Sequence, residues 1–289
     1  MESPATDHVA SGVARFALRT PTLPPATHTN SYLVGDGDFY LVEPASPFDD
    51  ERARLTATLR SRVARGDRFL GAILTHHHGD HTGAAEHVRE TFGVPLLAHA
   101  RTRDKLRGAV TIDRTLAEGD RLAGLEALDV ELLHTPGHAP GHLCLRSCAH
   151  GWMIVGDMVA SVGTILIDPS DDGDMDEYLA QLSRLAELRP TRLLPAHGDP
   201  IDDAVARLEF YVRHRLAREA KVLAAVKTSP TTLDAIVTEA YEDTPQAAFP
   251  LAERSARAHL ARLEKHGQVE RCVTDGADER WCLEKGTRQ

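Results

Sequence analysis

The sequence predicts an α/β fold: a sheet sandwich flanked by helices, followed by a small module of two helices and a β-ribbon. Three observations carry this. Short apolar strands alternate with amphipathic helices through the first 200 residues. The composition shifts after Pro200 to one long helix over residues 202–227. The remainder then runs helix, helix, hairpin, the order of a winged helix-turn-helix. The expected division is therefore 1–228 and 229–289. With 289 residues, 42% hydrophobic and 26% charged, the chain can bury a large core without staples.

Taken in order, residues 13–20 alternate as a strand, and Pro21, Pro24 and Pro25 mark a loop. Ser31–Val34 and Phe39–Val42 are strands joined by Gly35-Asp36-Gly37-Asp38, a hairpin signal. Residues 49–65 carry apolar positions at helical spacing. The run 69–74 reads as a buried strand, 84–91 as a helix ended by Gly93, and 95–99 as a strand. Strands follow at 128–133, 143–148, 152–155 and from 192, with a helix over 176–188. Helices over 233–241 and 251–266 precede a hairpin of 268–273 and 280–283.

The net charge of −10 gives no global attraction for nucleic acid or anionic membrane. Residues 1–20 lack the apolar run of a signal peptide, and no window reaches membrane-span length, so a cytoplasmic protein is expected. Cys144, Cys148, Cys272 and Cys282 form no Cys-x-x-Cys pair and are expected to be free, partly buried thiols.

The chemistry concentrates in Thr75-His76-His77-His78-Gly79-Asp80-His81-Thr82-Gly83. His76 and His78, at i and i+2 on extended chain, project to one side and can share an ion. Gly79 and Gly83 are expected to turn the chain so that Asp80 and His81 face a second ion. His77, between two of them, is expected to point away. Three more candidates stand at strand ends in glycine-containing loops: His138, Asp157 and His197.

This ordered set resembles the metallo-β-lactamase superfamily of hydrolases, with every ligand position of that family filled between about residues 30 and 197. The resemblance implies an αββα sandwich. It assigns His76, His78 and His138 to one metal, Asp80, His81 and His197 to a second, and Asp157 as the bridge. Two Zn²⁺ per chain are expected, although the ligand types suit Fe or Mn equally. Ions roughly 3.5–4 Å apart can share a hydroxide that serves as nucleophile, and Asp80 could orient it. No serine or cysteine sits in a nucleophile elbow, in keeping with a metal-borne nucleophile.

His142 is expected to hydrogen-bond a ligand or substrate. His134 is expected to make a structural hydrogen bond, and His28 is left open. His8, His87, His99, His150, His259 and His266 read as surface residues. Where many family members carry Asp-x-Gly, this chain has Glu43-Pro44-Ala45, leaving Glu43 as the candidate brace of the metal loop with a different reach.

The tail, with His214-Arg215-Leu216-Ala217-Arg218-Glu219 before the winged-helix pattern, resembles the lactamase-beta-like protein 2 group. That group implies a two-zinc hydrolase and includes members acting on single-stranded RNA; similar fungal proteins release thioester-bound polyketides. Three functions compete: hydrolysis of a thioester, ester or lactone; cleavage of single-stranded RNA; and a winged-helix regulator with a vestigial metal site. A decayed site should have lost ligands, which disfavours the third.

Charge separates the first two. Residues 1–200 hold 19 Lys and Arg against 28 Asp and Glu, and Asp168 to Asp176 form an acidic loop that reads as a solvated cap of the next helix. Arg207, Arg213, Arg215, Arg218 and Lys221 cluster on one helix, with Arg254, Arg257, Arg262 and Lys265 on another; they could track a phosphate backbone or form solvated faces. Residues 158–167 after Asp157 are apolar and better suited to an acyl chain, or else a buried loop. A small acyl substrate is favoured over RNA. The winged-helix module is expected to serve as lid or as the contact of a homodimer rather than as a DNA reader.

Overall fold

A computed structural model describes residues 6–272 and 279–284. The first sheet has seven strands in sequential order: β1 (Asp7–Ala10), β2 (Val13–Arg19), β3 (His28–Val34), β4 (Asp38–Val42), β5 (Arg68–Ile73), β6 (Leu96–His99) and β7 (Arg114–Leu116). It is antiparallel from β1 to β4 and parallel from β4 to β7. Its parallel crossovers carry α1 (Asp49–Ala64), α2 (Gly79–Thr82), α3 (Ala85–Phe92) and α4 (Ala100–Lys105). The second sheet holds β8 (Val130–His134), β9 (Leu143–Ser147), β10 (Trp152–Gly156) and β11 (Arg192–Pro195), with the parallel pair β10–β11 crossed over by α5 (Met175–Glu187).

Three apolar layers make this an αββα sandwich. Between the sheets, Tyr32, Val42, Ile73 and Leu97 meet Leu132, Leu145, Trp152, Ile154 and Leu194. Outside the first sheet, Leu41, Ala72 and Leu96 pack on Leu55 and Leu59 of α1 and Val88 of α3. Outside the second, Met153 and Leu193 pack on Tyr178, Leu182 and Leu185 of α5, and on Leu208 and Tyr211 of α6 (Ala204–Ala225). Each leucine, isoleucine, valine or methionine among them, fully withdrawn from water, contributes about 1.5–3 kcal/mol.

α6 continues into a fourth core. Its Val222 and Ala225 pack with α7 (Leu233–Ala240), α8 (Phe249–Lys265) and a three-stranded ribbon of β12 (Thr231–Thr232), β13 (Val269–Cys272) and β14 (Arg280–Leu283), ordered β12-β14-β13. Trp281 is its largest buried side chain.

Several expectations need correction. Cys272 and Cys282 are not free thiols: they pair diagonally across the ribbon, which the absence of Cys-x-x-Cys could not foretell. Cys144 and Cys148 are free. His259 is not a surface residue. α8 turns its small residues Ala252, Ser255 and Ala256 inward, and His259 shares that buried face beside Glu219. His99 is half-buried, caps α4 and stacks on His134 with ring centroids 4.0 Å apart. Burial, then the His134 ring, pushes it down to about 4.

The acidic loop is more than a solvated cap. Asp174 does cap α5 by accepting from the Glu177 amide, but Asp168 accepts from Arg254 at 2.6 Å and Asp176 from Arg262 at 2.6 Å. The loop is thus the seat of α8. Burial alone would raise the Asp176 carboxyl, yet His266, Lys265 and Arg262 together hold it down to about 2. An unfolded aspartate titrates near 3.9, so this contact is complete above that pH and is lost as pH falls toward 2. In a Trp152→Phe background, Trp281 fluorescence should report an acid transition whose dependence between pH 4 and 2 is reduced by Asp176→Asn.

Candidate metal centre

All the predicted ligands sit just past the C-terminal ends of strands, which brings four loops to one edge of the sandwich. His76 and His78 follow β5, His138 follows β8, Asp157 follows β10, and His197 follows β11. The turn after His78 is a single helical turn, α2, with His78 at its N-cap, and not a glycine-specific backbone conformation as expected. Gly83 is needed for another reason: a Cβ there would meet Pro47 N at 2.5 Å and Ala45 O at 2.6 Å.

Two constellations result. His76 Nε2, His78 Nδ1 and His138 Nε2 lie 3.0, 3.0 and 3.3 Å from one another. Next to them, Asp80 Oδ2 lies 3.7 Å from His81 Nε2 and 3.6 Å from His197 Nε2. Asp157 stands between: its Oδ2 is 3.5 Å from His138 Nε2 and 3.6 Å from His81 Nε2, and its Oδ1 is 3.3 Å from His197 Nε2.

The outer nitrogens explain why the inner ones are free. His138 Nδ1 donates to Leu166 O at 2.9 Å, His197 Nδ1 to His28 O at 3.0 Å, and His81 Nδ1 to Glu43 Oε1 at 3.1 Å. His78 Nε2 donates to Asp171 Oδ2 at 2.9 Å. Thr75 Oγ1 donates to Glu43 and accepts from His76 Nδ1 at 2.9 Å. With one proton per neutral ring placed outward, five lone pairs converge on the centre.

This arrangement fits metal. Nitrogens bound tetrahedrally at 2.0–2.1 Å lie about 3.3 Å apart, the spacing of the first trio. Among the described residues, His81 Nε2 and Asp157 Oδ1 are buried without a hydrogen-bond partner, which is costly unless something else satisfies them. Glu43 with His76 and His81, and His77 with His78 and Asp171, also come within reach of an ion. The first set reuses rings already turned toward the centre, and the second shares only His78 with that centre.

Electrostatics agrees. Burial pushes His76 well below its ordinary value and His138 down to about 3, and neighbouring rings act the same way. Burial opposes charge on His81, but Asp80, Glu43 and Asp157 outweigh it and raise that ring well above its usual value. Asp157, which burial would raise, is held well below the carboxylate range by His197 and His81. Buried carboxylates here demand positive charge.

The supporting residues sort as follows. His142, buried, accepts from the Asp157 amide at 3.1 Å through Nε2 and donates to Thr135 Oγ1, so it braces a candidate ligand. Glu43, at φ 61°, reaches Thr75 and His81 together. His77 points away to Asp171 at 3.3 Å, and His134 holds Pro140 O at 2.9 Å. Sequence reasoning missed Asn30, whose Nδ2 ties Pro195 O and Gly198 O across the His197 loop, and it missed Asp171 and Thr75 as partners of the imidazoles.

Gly137 (φ 128°) leads directly into His138, and a Cβ at Gly137 would lie 2.3 Å from Tyr178 N. Gly137→Ala should therefore displace His138 and lower bound metal, read by elemental analysis of purified protein.

A cleft of about 560 Å³ opens above the centre, with His78, Asp80, His138, Asp157 and His197 at its base. Leu23, Pro24 and Pro25 line one side, Val162, Ile165 and Leu166 another, and Leu251, Ala252 and Arg254 of α8 close the far side. Of the apolar run 158–167, Met158, Val159, Ile165 and Ile167 are buried in the outer core, while Val162 is exposed at the mouth.

Residues 24–197 match the metallo-beta-lactamase superfamily, and residues 232–281 the beta-lactamase associated winged helix domain. The beta-lactamase-like protein 2 homolog of Drosophila melanogaster is 28% identical over 306 residues, covering 98% of this chain and 98% of its own. The atrochrysone carboxyl ACP thioesterase of Claviceps purpurea is 25% identical, covering 83% of this chain and 75% of its own. A beta-lactamase domain protein from Burkholderia ambifaria has the same fold: its crystal structure aligns with a TM-score of 0.83 at 24% identity, over 97% of this chain and 94% of that one.

Proposed function

The chain belongs to the metallo-beta-lactamase superfamily of hydrolases, and from that premise we propose a dizinc acyl hydrolase acting on a thioester, ester or lactone. The observation that carries the substrate class is the cleft, whose lining is more apolar than polar, with Leu23, Val162, Ile165, Leu166 and Leu251 beside Arg215, Arg218 and Arg254, and which ends on the histidine and aspartate cluster. The thioesterase name of one relative points the same way.

His76, His78 and His138 would hold one ion, Asp80, His81 and His197 the other, with Asp157 shared. When bound, such ions acidify a water to act as nucleophile near neutral pH and polarise the substrate carbonyl. Asp80, which lines the cleft beside His138 and His197, would orient that water through its carboxylate. Leu23, Val162, Leu166 and Leu251 take the acyl chain and exclude bulk water from the carbonyl. The α8 wall makes the C-terminal module part of the substrate site.

RNA is the competing reading, and the ion pairs disfavour it. Arg215 is buried and donates to Ile165 O; Arg218 and Lys221 share Asp243 at 2.8 Å each. Arg254 pairs with Asp168, Arg262 with Asp176 and Glu219, and Lys265 with Asp176. Cations so engaged are poor partners for a phosphate backbone. The test is an assay of zinc-loaded protein against acyl-thioesters, lactones and single-stranded RNA. Steady thioester or lactone turnover is expected; steady RNA cleavage with none of the acyl substrates turned over would sink the proposal.

A further inference from the structure

The three imidazoles of the first trio are not held alike. His76 is fully buried and the His138 side chain is 6% exposed, whereas the His78 side chain is 27% exposed. Packing fixes the first two rings, so His78 needs another restraint. Its Nδ1 faces the trio, and its Nε2 meets Asp171 Oδ2 at 2.9 Å, 93 residues away in sequence. The other Asp171 oxygen lies 3.3 Å from His77 Nε2 and 3.5 Å from Lys105 Nζ.

Asp171 ends a 3-10 turn, Pro169–Asp171, that is built on Asp168. One oxygen of Asp168 accepts from the Ser170 amide and hydroxyl, and the other from Arg254 of α8 at 2.6 Å. Five residues beyond Asp171, Asp176 accepts from Arg262 of the same helix at 2.6 Å. The segment bearing Asp171 is thus pinned to α8 on both sides.

We propose that Asp171 is a positioning residue for the first metal site, and that α8 keeps it in reach of His78. By accepting from Nε2 it fixes the His78 tautomer with Nδ1 free and sets the plane of the ring. Arg254 and Arg262 act one step further out, on the loop and not on the ring. The inference rests on the metal reading above.

The test measures Zn²⁺ affinity of the purified full chain by competition with a chelating indicator, beside the melting temperature of the metal-free protein. Asp171→Ala should weaken one of two ions about 10- to 100-fold and spare the other. Its metal-free melting temperature should hold. Asp171→Asn, which keeps an acceptor oxygen, should recover part of the loss whatever the stability of the alanine variant. Arg254→Met should give a smaller loss in the same direction. Wild-type affinity for both ions in Asp171→Ala and Asp171→Asn overturns the role of Asp171, and so does equal weakening of both ions. Unchanged affinity in Arg254→Met overturns the role of α8. Wild-type protein that binds no zinc at all instead removes the metal reading, so the two failures are told apart.

Discussion

In the proposed dizinc enzyme, Asp157→Ala is expected to abolish hydrolysis and to reduce bound zinc from two ions per chain to one or none. Its carboxylate is the group within 3.3–3.6 Å of imidazoles from both constellations. Losing it removes a donor from each site and leaves the buried rings facing one another with less compensating charge. A fall in turnover on the order of 10²- to 10³-fold follows, because the ions that would stabilise charge developing in the transition state each lose a donor. Asp157→Asn, equal in shape but uncharged, separates charge from packing. Full metal content and retained turnover in both variants would refute the assignment of Asp157.

Glu43→Ala should produce the next largest effect, on stability and metal together. Glu43 is fully buried, accepts from Thr75 Oγ1 and His81 Nδ1, and through Thr75 orients His76. Breaking a buried charged network by removing one partner costs about 3–5 kcal/mol. Glu43→Gln keeps the volume and isolates the electrostatic share, for which a metal affinity about 10- to 100-fold weaker is expected. Thermal melting with and without Zn²⁺ checks both. A Glu43→Gln protein with unchanged zinc affinity would reduce the residue to a packing element.

The cluster of histidines and aspartates that the fold brings together was legible in the sequence because its members end strands and interrupt apolar runs, where a histidine or aspartate has little packing purpose. The long helices were legible too: α1, α5, α6 and α8 each bury a periodic stripe. What escaped depends on partners distant in sequence. Asp171 looks like one more charge in a solvated loop until the fold carries it to His78. His259 lies between arginines at 257 and 262, so its helix face reads as wet, yet small neighbours let that face dock on α6. β7, α4 and β12 are too short for any period to show. The basic clusters on α6 and α8 were visible as composition, but not the carboxylates of the acidic loop that engage several of them.

The unbroken run of α6 has a mechanical consequence. One end of this 22-residue rod is buried against the second sheet and the other inside the ribbon core. Swinging the ribbon core away would mean bending a rod, not flexing a tether. We therefore expect the aperture above the histidine and aspartate cluster to have a built-in calibre, so that molecules would be sorted by girth at the entrance rather than gripped by a closing jaw.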